Sequence, residues 1–501
     1  MNPLDGLIYG FSVCWTVANL LALLGGSIIG TLIGVLPGIG PVGAIAFLLP
    51  ITLGMKPETA LIMLAGIYYG SMYGGSTTSI LVNVPGEATS VVTCIDGYQM
   101  AKRGRAGAAL AVAAVGSFMA GTLGLVLLML FAPMLANYAL SFGPPEYFAI
   151  ALLGLFALSR ITGAPFWQSL LVLGFGLAIA TVGLDPVSFV SRYTIGIIQL
   201  AQGIELVPVV MGLFGVAEVL CVAEESGGLP QIAKMKFREL FPNRFEWRRS
   251  WGPIFRGSGL GFFWGLIPGP STVLSTFASY KLEKHLSKHP EEFGKGAIEA
   301  VAGPESANNG ASAGAMVPML SLGIPFTPGA AMLLAALLIQ GVQTGPLLIS
   351  SRPEIFWGVV ASMYIGNVAL LILNFPLVGL WTSILKIPQS ILLALILLLT
   401  MVGAFAINNS MLDLVVLIVM GILGYLFRKI KFDVAPIVVA LVLGPMLETT
   451  MRESLYMSRG EISIFITRPI SGTIIAILLA FLFGPPLWKL IRRPKKRGGV
   501  S

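Results

Sequence analysis

The chain has 501 residues, of which 56% are hydrophobic and only 11% charged, and its mean hydropathy is +0.88. This composition excludes an ordinary soluble domain and predicts many apolar segments able to cross a hydrocarbon core about 30 Å thick. The formal net charge of +8 does not indicate nucleic-acid binding, because a basic excess in the loops between spans is typical of membrane proteins. We therefore predict an all-α polytopic membrane protein.

The first predicted element is an apolar stretch that Pro37-Gly38 interrupts, in the sequence GVLPGIGP. Its arms, residues 20–36 and 39–53, have about 15 residues each and are short for full spans at about 1.5 Å per residue. Broken backbone at membrane depth is tolerated only where protein or a water-filled cavity satisfies the freed polar groups. The pattern predicts a re-entrant hairpin whose Pro-Gly tip lies near mid-membrane.

A second break follows, because Val84-Pro85-Gly86 interrupts the crossing predicted at about 58–100. Both elements recur in the same order later in the chain. Pro268-Gly269 interrupts the apolar stretch GLIPGPST, and Ile324-Pro325-Phe326 interrupts the crossing predicted at about 297–343. Residues 66–89 align without a gap on residues 306–329, which indicates two repeats.

The other crossings are predicted from the remaining apolar runs, and the total is about 11 crossings besides two hairpins. An odd number of crossings separates the two copies, so the second repeat is predicted to be inverted. Most of the 31 Lys and Arg residues then face the cytoplasm, which places the N-terminus outside and the C-terminus inside. These crossings are 107–131, 145–160, 166–183, 204–224, 354–380, 386–406, 411–427, 432–447 and 471–491.

The chain is accordingly divided into three parts. Residues 1–229 form the first repeat, and residues 257–501 form the inverted second repeat with the C-terminal helices. Residues 230–256 between them are basic and carry Phe245 and Trp247, which favours a cytoplasmic linker with an interfacial amphipathic segment. The alternative for this stretch is an ordinary solvated linker.

Small and polar residues surround the breaks and the hairpin tips. A broken helix exposes N–H groups that suit carboxylates at one new end and carbonyl groups that suit cations at the other. The alternative is that the hydroxyls bond back to their own helix or to a neighbouring one. The candidate substrate-binding residues are Gly38, Gly75, Ser76, Thr77, Thr78, Pro85, Gly86, Gly269, Ser271, Thr272, Asn308, Asn309, Pro325 and Thr327.

Four residues are candidates for holding a coupling cation, Na+ or H+: Asn83, Glu87, Glu305 and Asn309. A carboxylate at the bilayer centre costs about 2.5–3.5 kcal/mol on insertion scales, so a buried one is a functional candidate. The adjacent amides of Asn308 and Asn309 can coordinate substrate or Na+, or alternatively hydrogen bond between helices.

Enzyme chemistry has little support in the sequence. Both histidines lie in the charged stretch 281–295, which leaves no buried base for a nucleophile and no His-rich metal site. No phosphate-binding glycine motif opens a helix where ATP or a dinucleotide would bind. Cys14, Cys94 and Cys221 are far apart and are expected to be inert. The N-terminus lacks the features of a signal peptide, and we expect it in the mature chain.

Taken together, the breaks, repeats and polar clusters resemble the large membrane subunit of the tripartite tricarboxylate transporters, the TctA family. The similarity extends over essentially the whole chain. It is carried by GTLIGVLPGIGP (30–41), YYGSMYGGSTTSILVNVPGEATSVVTCIDGYQMAKRGRAGAAL (68–110), GLIPGPST (265–272) and GPESANNGASAGAMVPMLSLGIPFTPGAAMLL (303–334).

This resemblance implies a secondary transporter of the bacterial inner membrane that imports an organic carboxylate by cation symport. It also implies two protein partners, a small four-helix membrane subunit and an extracytoplasmic solute-binding protein. The pattern of hairpins and broken helices is similar to TRAP transporters and divalent-anion symporters, and an elevator motion follows only by analogy. The alternatives are a passive anion channel, an anion symporter without a binding protein, and a membrane-embedded scaffold or enzyme.

Overall fold

The structure is a computed structural model that describes residues 2–36, 40–83, 85–161, 166–185, 188–224, 241–269, 271–384 and 389–491. The first half contains α1 (Pro3–Cys14), α2 (Val17–Val35), α3 (Gly40–Leu48), α4 (Pro57–Val82), α5 (Val91–Lys102), α6 (Ala106–Ala139), α7 (Pro144–Ile161), α8 (Phe166–Ala180), α9 (Leu206–Val210) and α10 (Ala217–Glu224). A π-helical segment, Met211–Val216, joins the last two helices, and the antiparallel strands β1 (Gly183–Leu184) and β2 (Ser191–Arg192) form a short hairpin.

The second half is also helical. It contains α11 (Arg244–Gly265), α12 (Ser271–Leu286), α13 (Glu299–Leu322), α14 (Pro328–Ile339), α15 (Leu348–Ser351), α16 (Pro353–Asn374), α17 (Val378–Ile384), α18 (Gln389–Asn408), α19 (Met411–Lys429), α20 (Ala435–Met457), α21 (Ile464–Thr467) and α22 (Pro469–Ile491).

Five stretches of helix in the described part of the chain are long and apolar enough to cross a membrane. This confirms the prediction of an all-α polytopic membrane protein. The five stretches are Val17–Val35, Ala106–Ala139, Leu206–Glu224, Pro353–Asn374 and Met411–Lys429.

Most helix bounds lie within a few residues of the predicted crossings. Helix α20 continues to Met457, ten residues beyond the predicted end, and α16 ends at Asn374, six residues before its predicted end. The prediction that both arms of the first hairpin are too short to cross is wrong for α2, whose 19 residues span about 28 Å. Helix α6 continues to Ala139, eight residues beyond the predicted end.

Helix α11 begins at Arg244, so residues 244–256 are helical and continuous with the apolar stretch before Pro268-Gly269. Residues 230–240 of the predicted linker, and residues 225–229 before it, lie outside the described residues.

Both predicted breaks of the long crossings have the same local design. Helix α4 ends at Val82 and is followed by Asn83 in the left-handed conformation, with φ 59°. Helix α13 ends at Leu322 and is followed by Gly323 with φ 70°. Left-handed residues at this position terminate a helix without a further turn. The helical backbone resumes after N-cap residues Glu87 and Thr327 respectively.

Glycine rows allow two pairs of helices to pack at backbone distance. Between α2 and α4, a Cβ on Gly30 would lie 2.4 Å from the Ile67 carbonyl oxygen, and one on Gly70 would lie 2.7 Å from that of Ser27. Between α11 and α13, a Cβ on Gly261 would lie 2.2 Å from the Ala307 carbonyl oxygen. Small residues are the usual means of such close approach between membrane helices.

We expect Gly30→Ala to lower the free energy of unfolding by about 1–3 kcal/mol, because the added methyl group forces α2 and α4 apart. The matched control is Gly25→Ala in the same helix, since a Cβ there meets nothing within 4 Å. Thermal unfolding of the detergent-solubilised variants measures the difference. Equal melting temperatures for the two variants would contradict the packing argument.

The two halves are interlocked by crossed packing. Helix α6 of the first half packs on α11 and α13, whereas α16 of the second half packs on α2 and α4. Helix α3 contacts α14, and α12 contacts α5 and the turn that precedes it. Asn367 of α16 accepts a hydrogen bond from Tyr73 and donates one to the Phe118 carbonyl oxygen. The center of the molecule is therefore built from both halves.

A buried carboxylate joins the halves at one end of this assembly. Asp96 of α5 accepts hydrogen bonds from the backbone N–H groups of Gly294, Gly296 and Ala297 at 2.7–2.9 Å, and from the Tyr280 hydroxyl at 3.0 Å. The carboxylate is fully buried. It fixes the loop between α12 and α13 against the first half and so sets the position of α13.

Candidate functional site

The two long broken helices meet in a buried group of polar side chains, which we call the central polar cluster. Its members come from α4, the first break, α5, α6 and α13, and each is at most 7% exposed. Hydrogen bonds within the cluster connect the two halves of the chain. The cluster consists of Ser76, Glu87, Thr89, Thr93, Ser117, Glu305, Asn308 and Asn309.

Glu305 of α13 is held by hydroxyl groups from the other half. The Ser76 hydroxyl of α4 donates to one carboxylate oxygen at 2.5 Å. The Thr93 hydroxyl of α5 donates to the other oxygen. Neither partner carries a charge, so these bonds orient the carboxylate without neutralising it.

Glu87 occupies the N-cap position after the first break. Its carboxylate accepts hydrogen bonds from the Thr89 hydroxyl at 2.5 Å and from the Asn308 amide at 2.9 Å. The side chain packs over Gly75, where a Cβ would lie 3.0 Å from its Cγ atom. Gly75 therefore leaves the space in which the Glu87 carboxylate reaches α13.

Asn308 and Asn309 are adjacent in α13, and the side-chain amide oxygen of each has no hydrogen-bond partner. Asn309 donates through Nδ2 to the Ser117 hydroxyl at 2.7 Å, and Asn308 donates through Nδ2 to Glu87. The Oδ1 atoms of both residues are buried and accept no hydrogen bond. Amide oxygens left free in this way are available to a cation or to a donor on a bound molecule.

The cluster has no basic partner. Within the part of the chain that the structure describes, no ion pair includes Glu87 or Glu305. An isolated charge in an apolar interior is strongly unfavourable, so a buried carboxylate binds a proton or a cation instead. Two such carboxylates joined through Asn308 and the α13 helix form a site suited to positive charge.

A small cavity adjoins the cluster, with a volume of about 10 Å³ and a lining of Tyr73, Ser76, Thr77, Ser117 and Asn374 among others. This volume is close to that needed for one water molecule. The Asn374 Oδ1 atom beside it is buried without a partner. The cavity accommodates a water or a bare cation and is too small for an organic acid.

Tyr68 connects the cluster to the second break. Its ring lies beside Gly329 of α14, where a Cβ would be 2.4 Å from ring atom Cε2. Next to this contact, Thr327 accepts a hydrogen bond from the Ala330 N–H at 3.2 Å. The predicted residue Thr327 is therefore occupied as a helix cap.

The predicted tip of the second hairpin lies against the second break, because the Gly269 N–H donates to the Phe326 carbonyl oxygen at 2.9 Å. Ser271, at the start of α12, is buried and its hydroxyl has no partner. Thr272 beside it is half-buried, and Pro325 is buried at the break itself. The geometry brings these predicted residues to the region of the second break.

The other predicted residues lie around the first break, with one exception. Gly86 is buried against the Gly34 carbonyl oxygen, and Thr78 donates to the Gly75 carbonyl oxygen at 3.2 Å. Pro85 is half-buried. Asn83 is exposed at the end of α4 and makes none of the cluster's hydrogen bonds. Gly38 lies outside the described residues.

Sequence reasoning missed Thr93 and Ser117, which hydrogen bond to Glu305 and Asn309 respectively. Both are single hydroxyls in apolar helices. In the sequence, these two residues look the same as Ser258 and Ser306, whose hydroxyls bond back to their own helices at Ile254 and Ala302.

Comparison with known proteins relates the chain to one protein family and to two proteins of one organism. Residues 20–439 match the family described as the tripartite tricarboxylate transporter TctA family. The chain is 46% identical over 480 residues, 96% of its length and 95% of the relative's, to an uncharacterised 52.8 kDa protein in the TAR-I ttuC' 3' region of Agrobacterium vitis. It is also 46% identical over 217 residues, 43% of its length and 90% of the relative's, to an uncharacterised protein in the TAR-II ttuC' 3' region of the same organism. No solved structure matches.

Proposed function

Since the chain belongs to the tripartite tricarboxylate transporter TctA family, we propose that it imports an organic carboxylate by symport with Na+ or H+. A solute-binding protein outside the cell delivers the substrate, and a small membrane subunit completes the complex. The observation that carries the proposal is the pair of buried carboxylates, Glu87 and Glu305, which have hydroxyl and amide partners and no basic partner among the described residues.

The coupling cation binds at these two carboxylates. Partial or full neutralisation by H+ or Na+ offsets the unfavourable burial of their charge. The free Oδ1 atoms of Asn308 and Asn309 add hard oxygen ligands that suit Na+. Binding of the cation then removes the negative potential that would otherwise repel an anionic substrate.

The substrate carboxylates bind beside this cation site, at the two breaks and the second hairpin tip. Helix N-termini at Ser271 and Pro328 supply N–H groups, each favourable for an anion by about 0.3–2 kcal/mol. The unpartnered Ser271 hydroxyl is a further donor. The substrate-sized space forms when the hairpin tip separates from the second break, where Gly269 and Phe326 are now joined.

The proposed architecture is a pair of inverted repeats with opposed hairpins. Three observations support it: the left-handed caps at Asn83 and Gly323, the N-caps at Glu87 and Thr327, and the crossed packing of α6 and α16. Binding sites at the interface of such repeats are typical of secondary transporters. The N-terminus is external and the C-terminus cytoplasmic, in the inner membrane of a bacterium.

The proposal is tested in proteoliposomes that contain the chain with the small membrane subunit encoded beside it. Uptake of radiolabelled di- and tricarboxylates is measured with the loaded binding protein, under an inward Na+ gradient, an inward H+ gradient or neither. We expect accumulation only with the binding protein and one of the two gradients. Equal uptake without a gradient indicates a channel, and equal uptake without the binding protein indicates an independent symporter.

A further inference from the structure

A basic pocket that shares no residue with the central polar cluster lies between the start of α11, the end of α12 and the first residue of α13. It has a volume of about 450 Å³ and is lined by four permanent cations and two carboxylates. The cations outnumber the acids, so the pocket favours an anion. The charged lining residues are Arg248, Arg249, Arg256, Lys288, Glu283 and Glu299.

Two of the arginines are fixed in place by carboxylates. Arg256 binds Glu283 through Nε and Nη2 at 2.9 and 2.5 Å, and Arg249 binds Glu299 through the same two atoms at 2.6 and 2.8 Å. The Nη2 atom of Arg249 also donates to Glu292 at 2.6 Å, so the four cations face three carboxylates. Within the described residues no hydrogen bond involves the Nη1 atom of either arginine. Each guanidinium therefore keeps a fixed donor edge for a further oxygen ligand.

The other two cations are uncommitted. Arg248 and Lys288 are exposed and form no ion pair with any described residue. A freely solvated Lys or Arg on a protein surface needs no explanation, but here both line the same concavity as the two fixed guanidinium groups. Oxygens of a phosphate group match this set of donors.

The same stretch of α11 also presents an aromatic surface. Trp247, Trp251 and Phe255 form a stacked row with ring centroids 5.6 and 6.2 Å apart, and the last two are 41% and 51% exposed. On α11, Phe255 lies on the same side as Arg248, seven residues before it, whereas Trp247 and Trp251 lie on the side away from Arg249 and Arg256. Phe245 and Leu286, which are 61% and 51% exposed, line the pocket itself. Exposed aromatic rings beside basic groups are typical of the boundary between lipid headgroups and acyl chains.

We propose that this pocket binds the phosphate headgroup of an anionic phospholipid, whose acyl chains lie against Phe245 and Leu286, the exposed apolar residues of its lining. The cations attract the charge of the headgroup, and each Lys or Arg raises the affinity about fivefold. The two apolar side chains supply contact that a free phosphate ion cannot use. The lipid thereby fixes α11, the first arm of the second hairpin, at the membrane boundary.

The test is native mass spectrometry of the purified full chain, incubated with equal amounts of phosphatidylglycerol and phosphatidylethanolamine. We expect preferential retention of phosphatidylglycerol, and an affinity about thirtyfold lower in the Arg248→Gln/Lys288→Gln variant. The matched control is Lys281→Gln/Lys284→Gln, which removes the same charge from exposed residues of α12 that do not line the pocket. It should bind like the unaltered protein.

Three results would overturn the proposal. Equal loss of binding in the control indicates unspecific attraction to surface charge, and equal retention of both lipids indicates no headgroup recognition. Displacement of the lipid by millimolar inorganic phosphate assigns the pocket to a free anion. Melting temperatures of the variants in lipid-free detergent, expected to equal that of the unaltered protein, separate a binding defect from a folding defect.

Discussion

Replacement of Asn309 by leucine is expected to abolish carboxylate uptake while the protein still inserts into the membrane. The Asn309 amide bonds Ser117 at 2.7 Å, and its Oδ1 atom is buried and free. Leucine removes both functions and adds apolar branches among closely packed helices. Misplacement of a binding group by about 1 Å can cost about a hundredfold in rate, so we expect at least that loss.

Uptake into proteoliposomes, normalised to the amount of inserted protein, measures this effect. The control is Asn83→Gly, which removes an exposed amide from the first break and keeps a residue that tolerates the left-handed conformation. We expect near-normal uptake by the control. Full transport by the Asn309→Leu protein would show that Asn309 does not belong to the site. Loss of uptake in the Asn83→Gly control would indicate that Asn83 is a ligand.

Glu305→Gln is expected to uncouple the transporter from its ion gradient. Glutamine keeps the shape of the side chain and a carbonyl oxygen for one of the hydroxyls of Ser76 and Thr93, but it neither carries charge nor takes up a proton. The gradient can drive accumulation only if cation and substrate bind cooperatively and cross the membrane together. We therefore expect the accumulation ratio to fall to about one, with exchange of substrate across the membrane retained.

Accumulation under a gradient and counterflow without one distinguish this outcome from a simple loss of function. Glu224→Gln is the control, because Glu224 is half-exposed and pairs with Lys429 at the surface. If the Glu305→Gln protein accumulates substrate normally, the cation is held elsewhere, and Glu87→Gln becomes the next variant. If both exchange and accumulation disappear while the protein remains folded, Glu305 contributes to substrate binding rather than to coupling alone.

Much of the helical organisation could be predicted from the sequence, because apolar runs and proline-glycine breaks are local signals. The breaks after Val82 and Leu322 lie next to Pro85 and Pro325, and most helix bounds fall within a few residues of those predicted.

The length of α2 was underestimated at its start, where the polar residue Asn19 separates Val17 and Ala18 from the apolar run that follows. Ser27 and Thr31 lie further along the helix. Both pack against α4 and are fully buried.

The candidate site was predictable in its residue types and less so in its connections. Glu87, Glu305, Asn308 and Asn309 stood out because charged and amide groups are costly in a membrane interior. Their partners could not be read from the sequence, since the bond from Asn308 to Glu87 joins residues 221 positions apart. Such pairings depend on how α13 packs against the first half, which no local pattern specifies.

The crossed packing of α6 and α16 has a consequence for biogenesis. When the first half leaves the ribosome, α4 and α6 lack the helices of the second half that cover them, and Glu87 lacks its Asn308 donor. The nascent chain must therefore hold polar side chains in lipid until α13 and α16 have been inserted. A protein truncated after α10 would present these groups to the quality-control proteases of the membrane.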